Sequence, residues 1–209
     1  MRTPEINTAL ENSISTERLE KYLLETGGDL DLSIELYEEN MLLSESFYVP
    51  LQCLEVCLRN KIHAQMSKVY GTSWLLDHTV APLTDHSRSM INDALEEIEP
   101  EDVTSGKIVA ELKFAFWVGL MSRTYDSSIW RAALYKAFAA TTGQKRSVVH
   151  GRLNMLRRFR NRVAHHEPIF HKDLEKTHNE IIETIIWMCP KTAKWAEHHS
   201  RTLEILKKS

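Results

Sequence analysis

At 209 residues, 43% hydrophobic and 26% charged, the chain has the composition of a soluble globular protein and the length for one sizeable core. It shows no run of about 18 apolar residues and no apolar segment after Met1-Arg2-Thr3-Pro4, so neither a membrane span nor a secretory leader is expected, and three Cys argue against a disulfide framework. The net charge of −3 does not point to nucleic acid, but its distribution is uneven. Residues 1–50 carry eleven acids against three Lys or Arg, whereas Ser127 to His166 has no acid and nine bases: Arg131, Lys136, Lys145, Arg146, Arg152, Arg157, Arg158, Arg160 and Arg162. Two readings stay open. The basic stretch presents a positive face to a phosphate backbone, or the acidic segment covers it within the fold.

Gly and Pro are scarce and amphipathic segments dominate, so the expected fold class is all-α. A first helix is predicted over Thr16 to Thr26, ended by Gly27-Gly28, and a second from Asp29 or Asp31 through Leu32, Leu36 and Tyr37. A long helix follows from Ser46 to Tyr70, with Leu51, Leu54, Leu58, Ile62, Met66 and Val69 as its apolar ladder and Gly71 closing it. Cys53 and Cys57 fall one turn apart on it as small apolar residues. Residues 72–84 read as a loop that packs Trp74, Leu75 and Leu76. Thr84 or Asp85 caps a helix through Ile98 that stops at Pro100. Thr104 caps a nearly all-round apolar helix from Ile108 to Leu120, and Asp126 caps another from Ser128 to about Ala140. Arg146 or Ser147 begins a helix with Val149, Leu153, Leu156, Phe159 and Val163 inward, ended by Pro168. Asp173 opens a helix carrying Ile181, Ile182, Ile185 and Ile186, and Thr192 to Lys207 forms the last. With no linker or repeat visible, a single domain over 1–209 is expected: an N-terminal helical hairpin (1–45), a core bundle (46–189) and a C-terminal helix (190–209).

The stretch Arg160-Asn161-Arg162-Val163-Ala164-His165-His166-Glu167-Pro168 places a guanidinium, an amide and an imidazole within about two helical turns. Arg holds phosphate bidentately and His moves protons near neutral pH, so the set suits phosphodiester chemistry. Arg160 and His165 are five positions apart, roughly 140° around a regular helix, whereas Asn161 and His165 share a face. Pro168 disfavours helix at Glu167, which allows the last turn to unwind and bring His165 or His166 toward Arg160.

Arg160-Asn161-x-x-x-His165 resembles the R-x4-6-H signature of HEPN-superfamily ribonucleases, and its flanks, Leu156 to Phe170, resemble the Abi-like (abortive-infection) branch. Pro50 to Asn60 and Phe114 to Met121, the latter followed by Leu134 to Phe138, extend the resemblance over most of the chain. It implies a HEPN-like helical bundle and a homodimer whose motif helices pair to make a composite site. It also implies metal-independent endoribonuclease action in phage defence or as the toxin of a toxin–antitoxin pair. RNA would then be the substrate, an antitoxin protein or RNA a partner, and no cofactor or membrane is required. In that reading Arg160, Asn161 and His165 are catalytic, with His166 the competing imidazole because Arg160-x5-His166 also meets the spacing.

Other residues carry alternatives. Arg152, Arg157, Arg158 and Arg162 would contact RNA. Glu167 pairs with an Arg or orients a His, or is a surface acid. Glu55 and Arg59 are spaced as an i,i+4 ion pair, and Glu55 or Asn60 alternatively orients the site. His165, His166, Glu167, His171 and His178 are metal-ligand types, but their spacing matches no zinc pattern. The rival function is a non-catalytic RNA-binding or scaffold module on the same fold.

Overall fold

The computed structural model describes residues 2–77 and 79–208 and is all-α, with no strand among the described residues. Its eleven described α-helices are α1 (Pro4–Ile14), α2 (Thr16–Glu25), α3 (Leu30–Ser46), α4 (Tyr48–Tyr70), α5 (Asp85–Glu96), α6 (Ser105–Glu111), α7 (Phe114–Gly119), α8 (Arg146–Ala164), α9 (Leu174–Met188), α10 (Pro190–His199) and α11 (Thr202–Leu206). Side-chain caps start many of them. Asp29 accepts from Leu32 N, Thr84 from Ser87 N, Thr104 from Lys107 N and Asp173 from Lys176 N.

The core is built around α4, which packs against α9, α10 and α7. Leu51, Leu54, Leu58, Ile62 and Met66 are buried as the ladder predicts, each worth about 1.5–3 kcal/mol. Val69, the ladder's last member, is 45% exposed, because the helix outruns the core before Gly71. Trp74 and Leu75 pack under the following loop, while Leu76 does not. A single apolar cluster runs from Leu43 to Ala196. Residues 30–70 also contain an 18-residue stretch apolar enough to cross a membrane, half of it buried within the fold. By length and composition alone that stretch could span a membrane, contrary to the expectation from the sequence; its buried half packs inside the bundle.

Four elements differ from the expected ones. Helix α1 precedes the predicted first helix. Thr3 and Pro4 start it, but it buries only Asn7, whose amide donates to Asp31 Oδ1 at 2.8 Å. Its Ile6, Leu10 and Ile14 recur every four residues, but none of them is fully buried. The single helix expected through Ile108 to Leu120 is two, because Leu112 and Lys113 are extended. Trp117 Nε1 donates to the freed Leu112 carbonyl (3.3 Å) and Arg59 to that of Ala110 (3.3 Å). The helix expected from Ser128 to Ala140 is a π-helical turn at Asp126–Trp130 and a 3-10 turn at Leu134–Phe138. Its end is tied to α9 by Ala140 N–H donating to Trp187 O. The expected last helix breaks at Ser200 and Arg201 into α10 and α11, where Ser200 Oγ meets His178 Nε2 at 2.9 Å.

Burial holds three histidines, His63, His150 and His178, below the usual imidazole range, desolvation being the largest cause for each. His63 shows why neutrality matters: its Nδ1 accepts the Trp74 indole N–H at 3.1 Å, which an imidazolium does not do. A folded-state value below the unfolded one means the unfolded chain binds more protons. The stabilisation is complete above the unfolded value of about 6.5 and is lost as pH falls through the folded ones. The thermal midpoint should therefore fall between pH 7.5 and 5.5, as calorimetry would read; a midpoint that holds or rises would contradict the burial of these rings.

Candidate active site

Helix α8 places the motif. Val149, Leu153, Leu156 and Phe159 bury one face, with Phe159 edge-on to Phe47 at 4.7 Å, and this rotates Arg160 toward α4. The last turn ends at Ala164 and does unwind. His165 Nα donates to Asn161 O (2.9 Å), His166 to Val163 O (3.1 Å) and Glu167 to Arg162 O (2.8 Å). The last two bonds are those of a Schellman motif, whose C′ residue is left-handed and usually Gly. Here it is His166, at φ 56°. Arg18 of α2 donates to the carbonyls of His165 (3.3 Å) and His166 (2.9 Å), a cation on the negative end of α8.

The N-terminal hairpin holds this terminus in place. Asn40 of α3, 3% exposed, accepts the Ile169 N–H at 2.7 Å, and Tyr22 of α2 packs its ring on Phe170 (5.3 Å). The acidic segment therefore covers the end of the basic helix, through Arg18, Tyr22 and Asn40 rather than through its carboxylates. Asn40→Ala leaves a buried N–H unpaired and should cost about 1–3 kcal/mol. At about 2–4 °C per kcal/mol for this size, a midpoint lowered by less than 2 °C would count against this anchoring.

Between α3, α4 and α8 lies a cleft of about 920 Å³. Its walls are largely apolar, including Met41, Tyr48, Leu51, Val56 and Val163, and its polar members include Glu55, Arg59, Arg160 and His166. Glu55 Oε2 stands 3.4 Å from Arg160 Nε. The spacing suggested a Glu55–Arg59 pair; instead Glu55 reaches across to α8, and among the described residues Arg59 bonds the neutral Ala110 carbonyl alone, its Nε buried without a partner. The cleft lining thus carries two guanidinium groups, Arg59 and Arg160, against two carboxylates, Glu55 and Glu45, and of these Arg160 pairs with Glu55 while Arg59 faces no carboxylate among the described residues.

His166, not His165, lines this cleft, because the left-handed turn sends the two successive side chains in different directions. Both imidazoles are solvent-exposed, and only the lining of the cleft distinguishes them. Asn161 is half-buried and its amide makes no hydrogen bond among the described residues, so it does not hold His165 in this chain. Asn60 is exposed and lies outside the cleft. Glu167 pairs with Arg162 (3.3 Å), which also donates to Pro168 O (2.8 Å); the two clasp the helix end.

The basic stretch is less available than its composition suggests. Arg131 and Arg146 pair with Asp126, Arg152 with Glu183, Arg160 with Glu55 and Arg162 with Glu167. Arg152 also lies over the Trp187 ring (5.1 Å) and serves the α8–α9 contact, so it is not a free RNA contact. Arg157 and Arg158 have no ion-pair partner among the described residues and remain available. His171 packs on Phe170, and buried His178 is taken up by Ser200. Among the described residues no cluster of three His, Cys, Asp or Glu could hold a metal ion. Comparison of the chain with models of known families, with curated proteins and with solved structures finds no match.

Proposed function

We propose that this chain is a metal-independent endoribonuclease of HEPN type, acting as a homodimer. The observation that carries the reading is the convergence of Arg160, Glu55 and His166 on one cleft that also holds Arg59. In the proposed reaction a ribose 2′-OH attacks the adjacent phosphate and the His166 imidazole takes its proton. Arg160, positioned by Glu55, stabilises the pentacovalent phosphate, and Arg59 holds a non-reacting oxygen. A second imidazole, from His165 of either chain or His166 of the partner copy, protonates the 5′-oxygen as it leaves. The products are a 2′,3′-cyclic phosphate and a 5′-hydroxyl, and DNA is inert because it lacks the nucleophile. A two-fold mate would cover the cleft mouth, where Met41 and Tyr48 are 57% and 67% exposed. The setting that fits is cytoplasmic phage defence or a toxin–antitoxin pair, in which an antitoxin protein or RNA restrains the nuclease.

One observation favours the second reading, a non-catalytic RNA-binding or scaffold module: in the isolated chain Arg160 is already engaged by a carboxylate. Incubation of the protein with mixed structured and single-stranded RNA in EDTA separates the two. Cleavage leaving cyclic-phosphate ends supports the nuclease; RNA binding without cleavage supports the module; neither binding nor cleavage sinks both.

A further inference from the structure

Helix α10 carries an exposed face that the cleft does not use. Lys191, Lys194, Trp195, His198 and His199 are all exposed and stand at i, i+3, i+4, i+7 and i+8, which is one stripe of a helix. Ordinarily such a stripe is apolar and faces a core. Here the opposite face does that: Ala193 and Ala196 are buried, so the helix is held rigidly by its small residues and the stripe is turned outward. Trp195 is 57% exposed, whereas the four other tryptophans, Trp74, Trp117, Trp130 and Trp187, are each at most 7% exposed. The His199 ring meets Trp195 edge-on at 5.0 Å, and His198 meets His199 at 4.9 Å. With these contacts made, more than half of Trp195 stays open to solvent. Past the end of the stripe, Arg201 pairs at 2.8 Å with Glu45, which lines the cleft.

We propose that the Lys191–Trp195–His199 face of α10 is a binding platform for single-stranded RNA, stacking one base on Trp195 and holding flanking phosphates with Lys191 and Lys194, for strands that continue into the Arg160 cleft. It rests on the RNA reading of that cleft for its ligand. An aromatic face among cations is what sequence-tolerant single-strand binding requires, because every base offers a π-face and every linkage a charge. An anionic lipid surface is the competing partner. It is disfavoured because the stripe offers one apolar ring and four basic or imidazole side chains, too little apolar area to insert.

As the one well-exposed tryptophan, Trp195 reports on its own occupancy. The protein is titrated with a twelve-nucleotide 2′-O-methyl oligouridylate, which lacks the attacking hydroxyl and survives. Binding should quench the acrylamide-accessible emission. Trp195→Ala should weaken binding about tenfold or more and Trp195→Phe less. Replacing Lys191 and Lys194 with Ala should flatten the salt dependence by about 0.7 per lysine removed. Cleavage of the dinucleotide uridylyl-3′,5′-uridine, too short to span both sites, should be unchanged in Trp195→Ala. Quenching by the oligomer without RNA cleavage would support the platform and sink the nuclease. Undiminished oligomer binding by Trp195→Ala would overturn the platform and leave the nuclease standing. Absence of oligomer binding overturns the platform whether or not RNA is cleaved. An emission change with phosphatidylserine vesicles, and none with the oligomer, assigns the face to a membrane and overturns it too.

Discussion

His166→Gly should abolish RNA cleavage while making the protein slightly more stable. A non-Gly residue in the left-handed region costs about 1–2 kcal/mol, and His166 stands there at φ 56° to complete the Schellman turn. Gly removes that cost but adds about 0.4–1 kcal/mol of unfolded-state entropy. The net gain is about 0 to 1.6 kcal/mol, a rise of a few degrees at most in thermal midpoint. Loss of a general base costs about 10²–10⁴ in rate. His166→Ala should match the loss of rate without the gain in stability, since Ala keeps the Cβ that strains the turn. His165→Ala, run beside them, decides which imidazole is the base: a loss of cleavage confined to His165→Ala would transfer that role to His165, outside the cleft. Single-turnover cleavage and calorimetry on the three variants are the measurements.

Arg160→Ala should lower kcat by about 10²–10³, the scale of removing one donor to a developing oxyanion. Its pair with Glu55 is partly exposed on both sides, 39% and 24%, so the fold should lose only about 0–1 kcal/mol. A large fall in rate with an almost unchanged melting curve is the expected signature. Arg160→Lys should not restore the rate, because an ammonium cannot present two parallel donors to a phosphate. Glu55→Gln should cost less, about tenfold, since it leaves the guanidinium and removes only what orients it. The double variant should be no slower than Arg160→Ala alone, because Glu55 acts through Arg160. Equal rates for wild type and Arg160→Ala would remove the cleft from the chemistry.

The Arg160–Glu55 contact is the part of the site least visible in the chain. The two residues are 105 positions apart, and the local rule pairs Glu55 with Arg59 one turn away. Arg59 is instead drawn to the Ala110 carbonyl, exposed where α6 stops short of α7. That break has no Pro or Gly to announce it; it is set by burial of Leu112 and Phe114 on either side and by the Trp117 indole. The basic stretch teaches the same lesson. Its nine cations left a free positive face and a covered one both open; five of them pair with four acids, Asp126 just before the stretch, Glu167 just after it, and Glu55 and Glu183 far from it.

The sequence by itself determined the all-α class, the bounds of α2, α4, α5 and α9, the start of α8, and the buried ladder of α4 from Leu51 to Met66, because caps, glycine stops and 3.6-residue periodicity are local signals. It also marked Arg160 and the two histidines as the place to look. Only the tertiary structure decided which histidine enters the cleft, which carboxylate holds the arginine, and that a lysine–tryptophan–histidine stripe on α10 faces outward. Each of those depends on contacts between residues far apart in the chain, or on a single residue's left-handed turn, and neither leaves a periodic trace in the order of amino acids.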